Sequence, residues 1–349
     1  MRILYIEPDY TGQSSYGYYY KTIESISRHA SVQLVAGKGY KTSVEEIKRR
    51  IPDLDLICFG FGWMNVWKNG VHYIETIIEG IEDTDIPKAV FLNKEYGGGL
   101  ASKLGWIKEI KADFALTYHH DYKLFEKITG VPFYFIPFAA DPALFKNYGI
   151  DQVHDIGFTG GLGHVETNGW EKKSEFGKLI PFKAEGQGWS HNLRREVKEK
   201  HSSWTDINFY FSNHRHDSVV DYAKRLNTAK MWLSTTGPVD IVGTRYYEVM
   251  LTGTTLLMCN RSNRVWCFDE NLNRCDRDVN VYEDLFEEDV HYVAFDSVTE
   301  LEDKVKFYKD NEDARLKIVK NAYEHAIKHH TWDNRAESFL KAAKKHIRK

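Results

Sequence analysis

The chain has 349 residues, enough for two domains, and is 42% hydrophobic and 28% charged, the balance of a soluble protein with a sizeable core. Its formal net charge of −3 argues against nucleic acid as a main partner, and the basic tail AAKKHIRK reads as a short solvated helix end. No apolar run is long enough for a transmembrane segment, and Arg2–Glu7 reads directly as a strand with no signal peptide, so a cytoplasmic, reducing compartment is expected.

Strand-like and helix-like runs alternate from the first residue. Ile3–Ile6 predicts a strand, Thr22–His29 a helix, Val32–Val35 a strand, and Ser43–Arg50 a helix opened by Ser43 with Glu46 three residues later. Leu54–Phe59 predicts a strand, His72–Glu82 a helix, Ala89–Leu92 a strand, Ser102–Lys111 a helix, Phe114–Tyr118 a strand, Asp121–Thr129 a helix and Phe133–Ile136 a strand. Strict alternation of this kind builds a parallel sheet covered on both faces. The first unit closes near Phe145.

A second series follows. Asp155–Phe158 predicts a strand, Gly160–Gly188 a long loop, Asn192–Lys200 a helix, Asn208–Phe211 a strand, Ser218–Asn227 a helix and Met231–Ser234 a strand. Arg245–Leu251 predicts a short helix ended by Gly253, and Thr254–Met258 a strand. A less regular region runs to Asp289, then a strand at Tyr292–Phe295. Ser297-Val-Thr-Glu300 is a capping box for a long helix, Leu316–Lys328 is another helix, and Thr331 caps a last one with Trp332, Ala336, Phe339, Leu340 and Ala343 as its apolar stripe.

The expected fold is therefore α/β, with two Rossmann-like doubly wound domains facing across a cleft, residues 1–145 and 146–330, and a final helix over 331–349. In such sheets ligands bind beyond the carboxyl ends of the strands. The stretch from Thr235 to Met258 has that form, and its Arg245 and Glu248, three apart on one helix face, make Glu248 the first candidate for ligand contact. The geometry suits a transferase, and dehydrogenases, epimerases and binding proteins share it. After the first strand stands EPDYTGQSSYG in place of a GxGxxG fingerprint, Gly160-Gly161-Leu162-Gly163 has the wrong spacing, and no GxxxxGK[ST] loop occurs. Dehydrogenase and P-loop kinase readings fall away. Aromatic residues make up 14% of the chain, more in keeping with a bulky core than with sugar stacking. The four cysteines suggest no disulfide framework; Cys58 and Cys259 lie in apolar runs, and Cys259, Cys267 and Cys275 lack the CxxC knuckles of a zinc site.

The order of these segments resembles the GT-B glycosyltransferases, closest to the family 4 (group 1) enzymes and their spore-maturation-protein-like relatives. Ala112-Asp113-Phe114-Ala115-Leu116-Thr117, then Phe135-Ile136-Pro137-Phe138-Ala139-Ala140-Asp141-Pro142-Ala143-Leu144-Phe145, is similar to the close of the family's first domain. Asp155-Ile156-Gly157-Phe158-Thr159-Gly160 is similar to the first strand of its nucleotide domain. Arg245-Tyr246-Tyr247-Glu248 through Gly253-Thr254-Thr255-Leu256-Leu257 is similar to its R-x-x-E-x-x-x-x-G-x-x-L-L segment.

The resemblance implies a sugar passed from a nucleotide-sugar donor, UDP or GDP based, to a glycan or small-molecule acceptor hydroxyl, with retention at the anomeric carbon, no cofactor and no metal. A nucleotide-sugar epimerase of the same fold, or a silent sugar- or nucleotide-binding module, is the alternative. Glu248 would accept both ribose hydroxyls. The family's second acid, eight positions earlier, is here Asp240, one methylene shorter. Gly160, Gly161, Arg194, Arg195 and Arg245, with Gly12 and Ser14 across the cleft, are candidates for the diphosphate. His119 and His120, after the strand Phe114–Tyr118, are candidates for proton transfer at the cleft, and Asp9 is the candidate base for an inverting reaction. Glu95 and Trp63 are candidates for acceptor contact. His214, His216 and the pair His329-His330 read as polar loop or helix-end histidines. The last helix is expected to pack back on the first domain.

Overall fold

The computed structural model describes all residues except 8–16, 37–39, 63–65, 69–70, 74–76, 94–99, 163–191, 214–217, 237–240, 262–264, 278 and 348–349. The elements up to the first chain crossover are β1 (Arg2–Glu7), α1 (Gly17–Ser27), β2 (Ser31–Ala36), β3 (Lys41–Ser43), α2 (Val44–Arg50), β4 (Leu56–Phe59), β5 (Val66–Lys68), β6 (Val71–Tyr73), β7 (Ile77–Glu79), β8 (Lys88–Leu92), α3 (Leu100–Glu109), β9 (Phe114–Thr117), α4 (Tyr122–Thr129) and β10 (Phe133–Phe135). Beyond it come β11 (His154–Thr159), α5 (Asn192–Lys200), β12 (Phe209–Ser212), α6 (Val219–Leu226), β13 (Ala229–Ser234), α7 (Thr244–Leu251), β14 (Leu256–Asn260), β15 (Val265–Phe268), β16 (Arg274–Arg277), β17 (Val293–Phe295), α8 (Val298–Asp310), α9 (Glu312–His329) and α10 (Trp332–His346).

Two parallel sheets result. The first has six strands in the order β10-β9-β8-β4-β1-β2, the second five in the order β12-β11-β13-β14-β17. Within each strand successive side chains point to opposite faces, so both faces must be apolar when both are covered. In β1, Leu4 and Ile6 enter one core cluster, under α2, α3 and α4, while Ile3 and Tyr5 enter another, under α1 and α10. The second sheet does the same: Met231 and Leu233 of β13 face one cluster and Trp232 the other.

The last helix returns to the first sheet. Thr331 and Asn334 form a reciprocal capping box, and Ala336, Phe339, Leu340 and Ala343 are buried against Tyr19, Ile23 and Ile26 of α1. Burying one such Phe or Leu is worth roughly 1.5–3 kcal/mol, so the stripe alone accounts for the docking. Ser43 and Ser297 cap α2 and α8 as their sequences predict.

The segment His72–Glu82, predicted helical, is not a helix. Val71–Tyr73 pairs antiparallel with Val66–Lys68, and Ile77–Glu79 pairs parallel with Lys41–Ser43. Its β-branched residues, Ile77 and Ile78 among them, prefer a pleated backbone and outweigh the helical spacing. The irregular region after Cys259 holds a hairpin, β15–β16, whose Phe268 lies in the core cluster of the first sheet. None of the four cysteines forms a disulfide, and Cys58 and Cys259 are fully buried. Among the described residues no helix is long and apolar enough to cross a membrane.

Candidate active site

In the second sheet β11 is flanked by β12 on one side and β13 on the other. The chain leaves β11 for β12 in one direction and returns to start β13 in the other, so the loops after β11 and β13 diverge and open a crevice at the carboxyl edge. Two arginines converge there. Arg194, in the first turn of α5, is buried; its Nε donates to Thr235 Oγ1 after β13 at 2.6 Å, and its Nη1 donates to the Gly161 carbonyl after β11 at 2.9 Å. It therefore stitches the two diverging loops together. Arg245 enters from the first turn of α7, and both guanidinium carbons lie over the Phe158 ring, 5.5 and 5.9 Å from its centre.

Gly160 makes room for this. Its φ is +148°, and a Cβ there would stand 3.1 Å from Arg245 Nη1. Only glycine combines that backbone with that approach. Gly161 follows as an exposed residue whose carbonyl holds Arg194. Arg195, half-buried, donates to the Leu162 carbonyl at 3.1 Å and supports the same loop from behind.

Burial, with the Arg245 charge beside it, pushes the Arg194 pKa down to about 9. Arg194 stays charged at neutral pH, yet its hydrogen bonds go to neutral oxygens. Two cations held together on such partners make a candidate site for an anion. The hydroxyls of Thr159 and Ser234, at the ends of β11 and β13, are buried and make no hydrogen bond among the described residues. α7 begins at Gly243 without a side-chain cap, so its first N–H groups and dipole also favour negative charge.

Glu248 lies one turn along α7 from Arg245, and the two meet through a third residue. The Tyr222 hydroxyl, from α6, donates to Glu248 Oε2 at 3.1 Å and accepts from Arg245 Nε at 3.1 Å. Burial raises the Glu248 pKa above the usual carboxylate value, with Arg245 and the hydroxyls of Thr244 and Tyr222 pulling the other way. Gly253, at φ +65°, ends this unit in the left-handed conformation expected of a helix-terminating glycine. Tyr222 escaped the sequence reading: it sits inside an amphipathic helix, 23 and 26 residues from its partners, with no local signal.

In the first domain the two histidines part company. His119 is fully buried and does not face the cleft as expected: its Nδ1 accepts from the Asp121 N–H at 3.0 Å, and its ring packs on Phe125 and Phe268. The tight turn into α4 rolls it into the core. His120 stays half-buried in a cavity lined by Tyr118 and Pro137 of one sheet and by Ile241 and Val242 from the other side. Its Nε2 lies 3.3 Å from Cys267 Sγ of the hairpin. Burial lowers its pKa, with Asp121 opposing and Arg277 adding, so the ring is neutral at pH 7. Ligand atoms of His119, His120 and Asp121 lie within 4.8 Å of one another. Protein partners already engage them, however: Asp121 accepts from the Phe268 N–H at 2.7 Å and pairs with Arg277.

Glu7, at the end of β1, also went unrecognised in the sequence. It is buried beside the first sheet's own switch point, accepts from the Gly62 N–H at 2.6 Å, and occupies space that any side chain at position 60 would fill. Burial raises its pKa well above the carboxylate range. Asp9, Gly12, Ser14, Trp63, Glu95, His214, His216 and Asp240 lie outside the described residues.

The fold is shared with known proteins. Residues 172–341 match a family model described as glycosyl transferase-like. No curated protein matches the sequence. Among solved structures, the chain superposes on HepE from Anabaena in a complex with UDP-glucose at 12% identity and TM-score 0.55, over 99% of this chain and 100% of that one. Sucrose-phosphate synthase from Thermosynechococcus elongatus is similar at 9% identity and TM-score 0.57, over 99% and 98%. An alpha-glucosyltransferase in complex with UDP and DNA is similar at 11% identity and TM-score 0.56, over 99% and 100%. The two parallel sheets thus give the chain the GT-B fold of these structures, and residues 172–341 carry a glycosyl transferase-like domain.

Proposed function

We propose that the chain is a glycosyltransferase that draws its sugar from a nucleotide-sugar donor held by the second domain, residues 146–330, and passes it to an acceptor hydroxyl, on a glycan or a small molecule, held by the first, residues 1–145. The observation that carries this is the switch-point cluster. Arg194, buried, and Arg245, half-buried, provide two positive charges beside Gly160, and Glu248 provides a carboxylate one helical turn away. A nucleoside diphosphate needs that combination: cations and N–H groups for the diphosphate, and a carboxylate for two adjacent ribose hydroxyls. The same cations favour the transition state, because negative charge builds on the departing diphosphate as the glycosidic bond breaks.

HepE, of the same fold, was crystallised with UDP and with UDP-glucose, which makes a uridine donor the first to try. Retention at the anomeric carbon follows from the family 4 resemblance. His120, neutral and facing the cavity between the sheets, is the described residue best placed to exchange a proton with an acceptor.

A thermal-shift panel of UDP, GDP, ADP and TDP, each free and as its sugar derivative, tests the reading. A ligand present at a hundredfold its dissociation constant stabilises the fold by about 2.7 kcal/mol. One nucleoside diphosphate and its sugar should raise the melting temperature clearly above the rest. Absence of any response across the panel contradicts the proposal.

A further inference from the structure

We infer that Tyr222 is the positioning residue of the donor site, its hydroxyl holding Arg245 and Glu248 apart so that each stays directed at a different part of the nucleotide. The inference rests on the proposed ribose role of Glu248. Arg245 and Glu248 stand three residues apart on α7, a spacing at which opposite charges ordinarily pair directly. Here they do not. Arg245 Nε donates to the Tyr222 hydroxyl at 3.1 Å, and that hydroxyl donates its own proton to Glu248 Oε2 at 3.1 Å. One O–H is satisfied as acceptor and donor at once, and the two charges are separated by the width of an oxygen atom.

The consequences are geometric. With Nε committed to Tyr222, the two terminal nitrogens of Arg245 project toward Gly160, 3.1 and 3.4 Å from the point its Cβ would occupy. With Tyr222 and Thr244 each giving it one hydroxyl proton, the Glu248 carboxylate keeps lone pairs for a ligand. Tyr222 is itself fixed, its ring edge-on to Phe145 and its helix capped by Ser218. Burial, with the Glu248 charge next, keeps the phenol protonated far beyond neutral pH, so the donor to Glu248 is present at every working pH. Without the hydroxyl, Arg245 and Glu248 collapse into a direct ion pair, and each loses its direction.

Tyr222→Phe removes the oxygen and keeps the ring. The probes are UDP and 2′-deoxy-UDP, or GDP and 2′-deoxy-GDP if the nucleotide panel selects guanine, measured by calorimetry. The parent enzyme should prefer the ribonucleotide. In Tyr222→Phe that preference should fall about 10- to 150-fold, the size of one hydrogen bond to a charged group, while the urea midpoint stays unchanged. In Tyr222→Phe combined with Arg245→Met, where collapse is impossible, the preference should return to that of Arg245→Met alone. An undiminished preference in Tyr222→Phe, or no recovery in the double variant, overturns the inference while leaving the ribose reading in place. A parent enzyme with no preference for the ribonucleotide removes the ribose reading and this inference with it.

Discussion

Replacing Arg194 with alanine is expected to slow sugar transfer by about 10²- to 10³-fold, the usual cost of losing one preorganised group that stabilises developing charge. Arg194 does two things at once. Its guanidinium joins the loops after β11 and β13, through Gly161 and Thr235, and its charge stands beside Arg245 over Phe158. The alanine variant loses both. Arg194→Lys keeps a charge but not the fork that reaches both loops, so it should recover only part of the rate. Steady-state kinetics and a comparison of UDP with uridine check this. With the arginine on the diphosphate, as proposed, the loss of affinity should fall on UDP and spare uridine. An equal loss on both ligands would place Arg194 elsewhere than proposed.

The largest effect on stability is expected at Arg335. This side chain is buried in the first turn of α10, where the chain passes back from the second sheet to the first. Its Nε donates to the Pro137 carbonyl at 2.7 Å, its Nη2 to the Phe138 carbonyl at 2.8 Å and to His330 Nδ1 at 2.7 Å, and its Nη1 to the His329 carbonyl at 2.8 Å. Beside it Ala140 bridges Thr331. Both passages of the backbone between the sheets are thus tied to one guanidinium. Arg335→Met leaves one buried and three part-buried acceptors without this donor and should cost about 3–5 kcal/mol, measured by urea unfolding.

The same contact makes stability depend on pH. Arginine only donates, so His330 Nδ1 must accept, and the ring is neutral. Burial, with the positive charge of Arg335 next, pushes the His330 pKa down to about 2. In the unfolded chain a histidine takes up its proton near pH 6.5. Between those values the unfolded state binds the extra proton, so this contribution is complete above about pH 6.5 and is lost as pH falls, at up to about 1.4 kcal/mol per pH unit. Urea unfolding should show lower stability at pH 5.5 than at pH 7.5. The difference should shrink in His330→Gln, and an unchanged difference would show that other groups carry it.

Much of the architecture was legible because it follows from local patterns. Apolar runs of four to six residues, alternating with capped helices, are enough to announce two parallel sheets, and the stripe Trp332, Ala336, Phe339, Leu340 and Ala343 marks the helix that covers the first. Where patterns competed, at His72–Glu82, β-branched side chains won. The site was legible in part for the same reason. Arg194, Arg245, Gly160 and Glu248 stand where strands meet helices, positions that sequence patterns mark. What they do there depends on partners far along the chain. Nothing near Tyr222 announces Glu248, and nothing near His119 tells that it turns inward toward Phe268 from a hairpin 149 residues later. His330, read as a helix-end histidine, is buried only because Arg335 and the crossover at Phe138 close around it.

A crystal structure with UDP tests the central claim most directly. The ribose hydroxyls should lie within hydrogen-bonding distance of Glu248, with the diphosphate between Arg194, Arg245 and the backbone at Gly160. UDP bound at the carboxyl edge of the first sheet, with Glu248 and both arginines untouched, would contradict it.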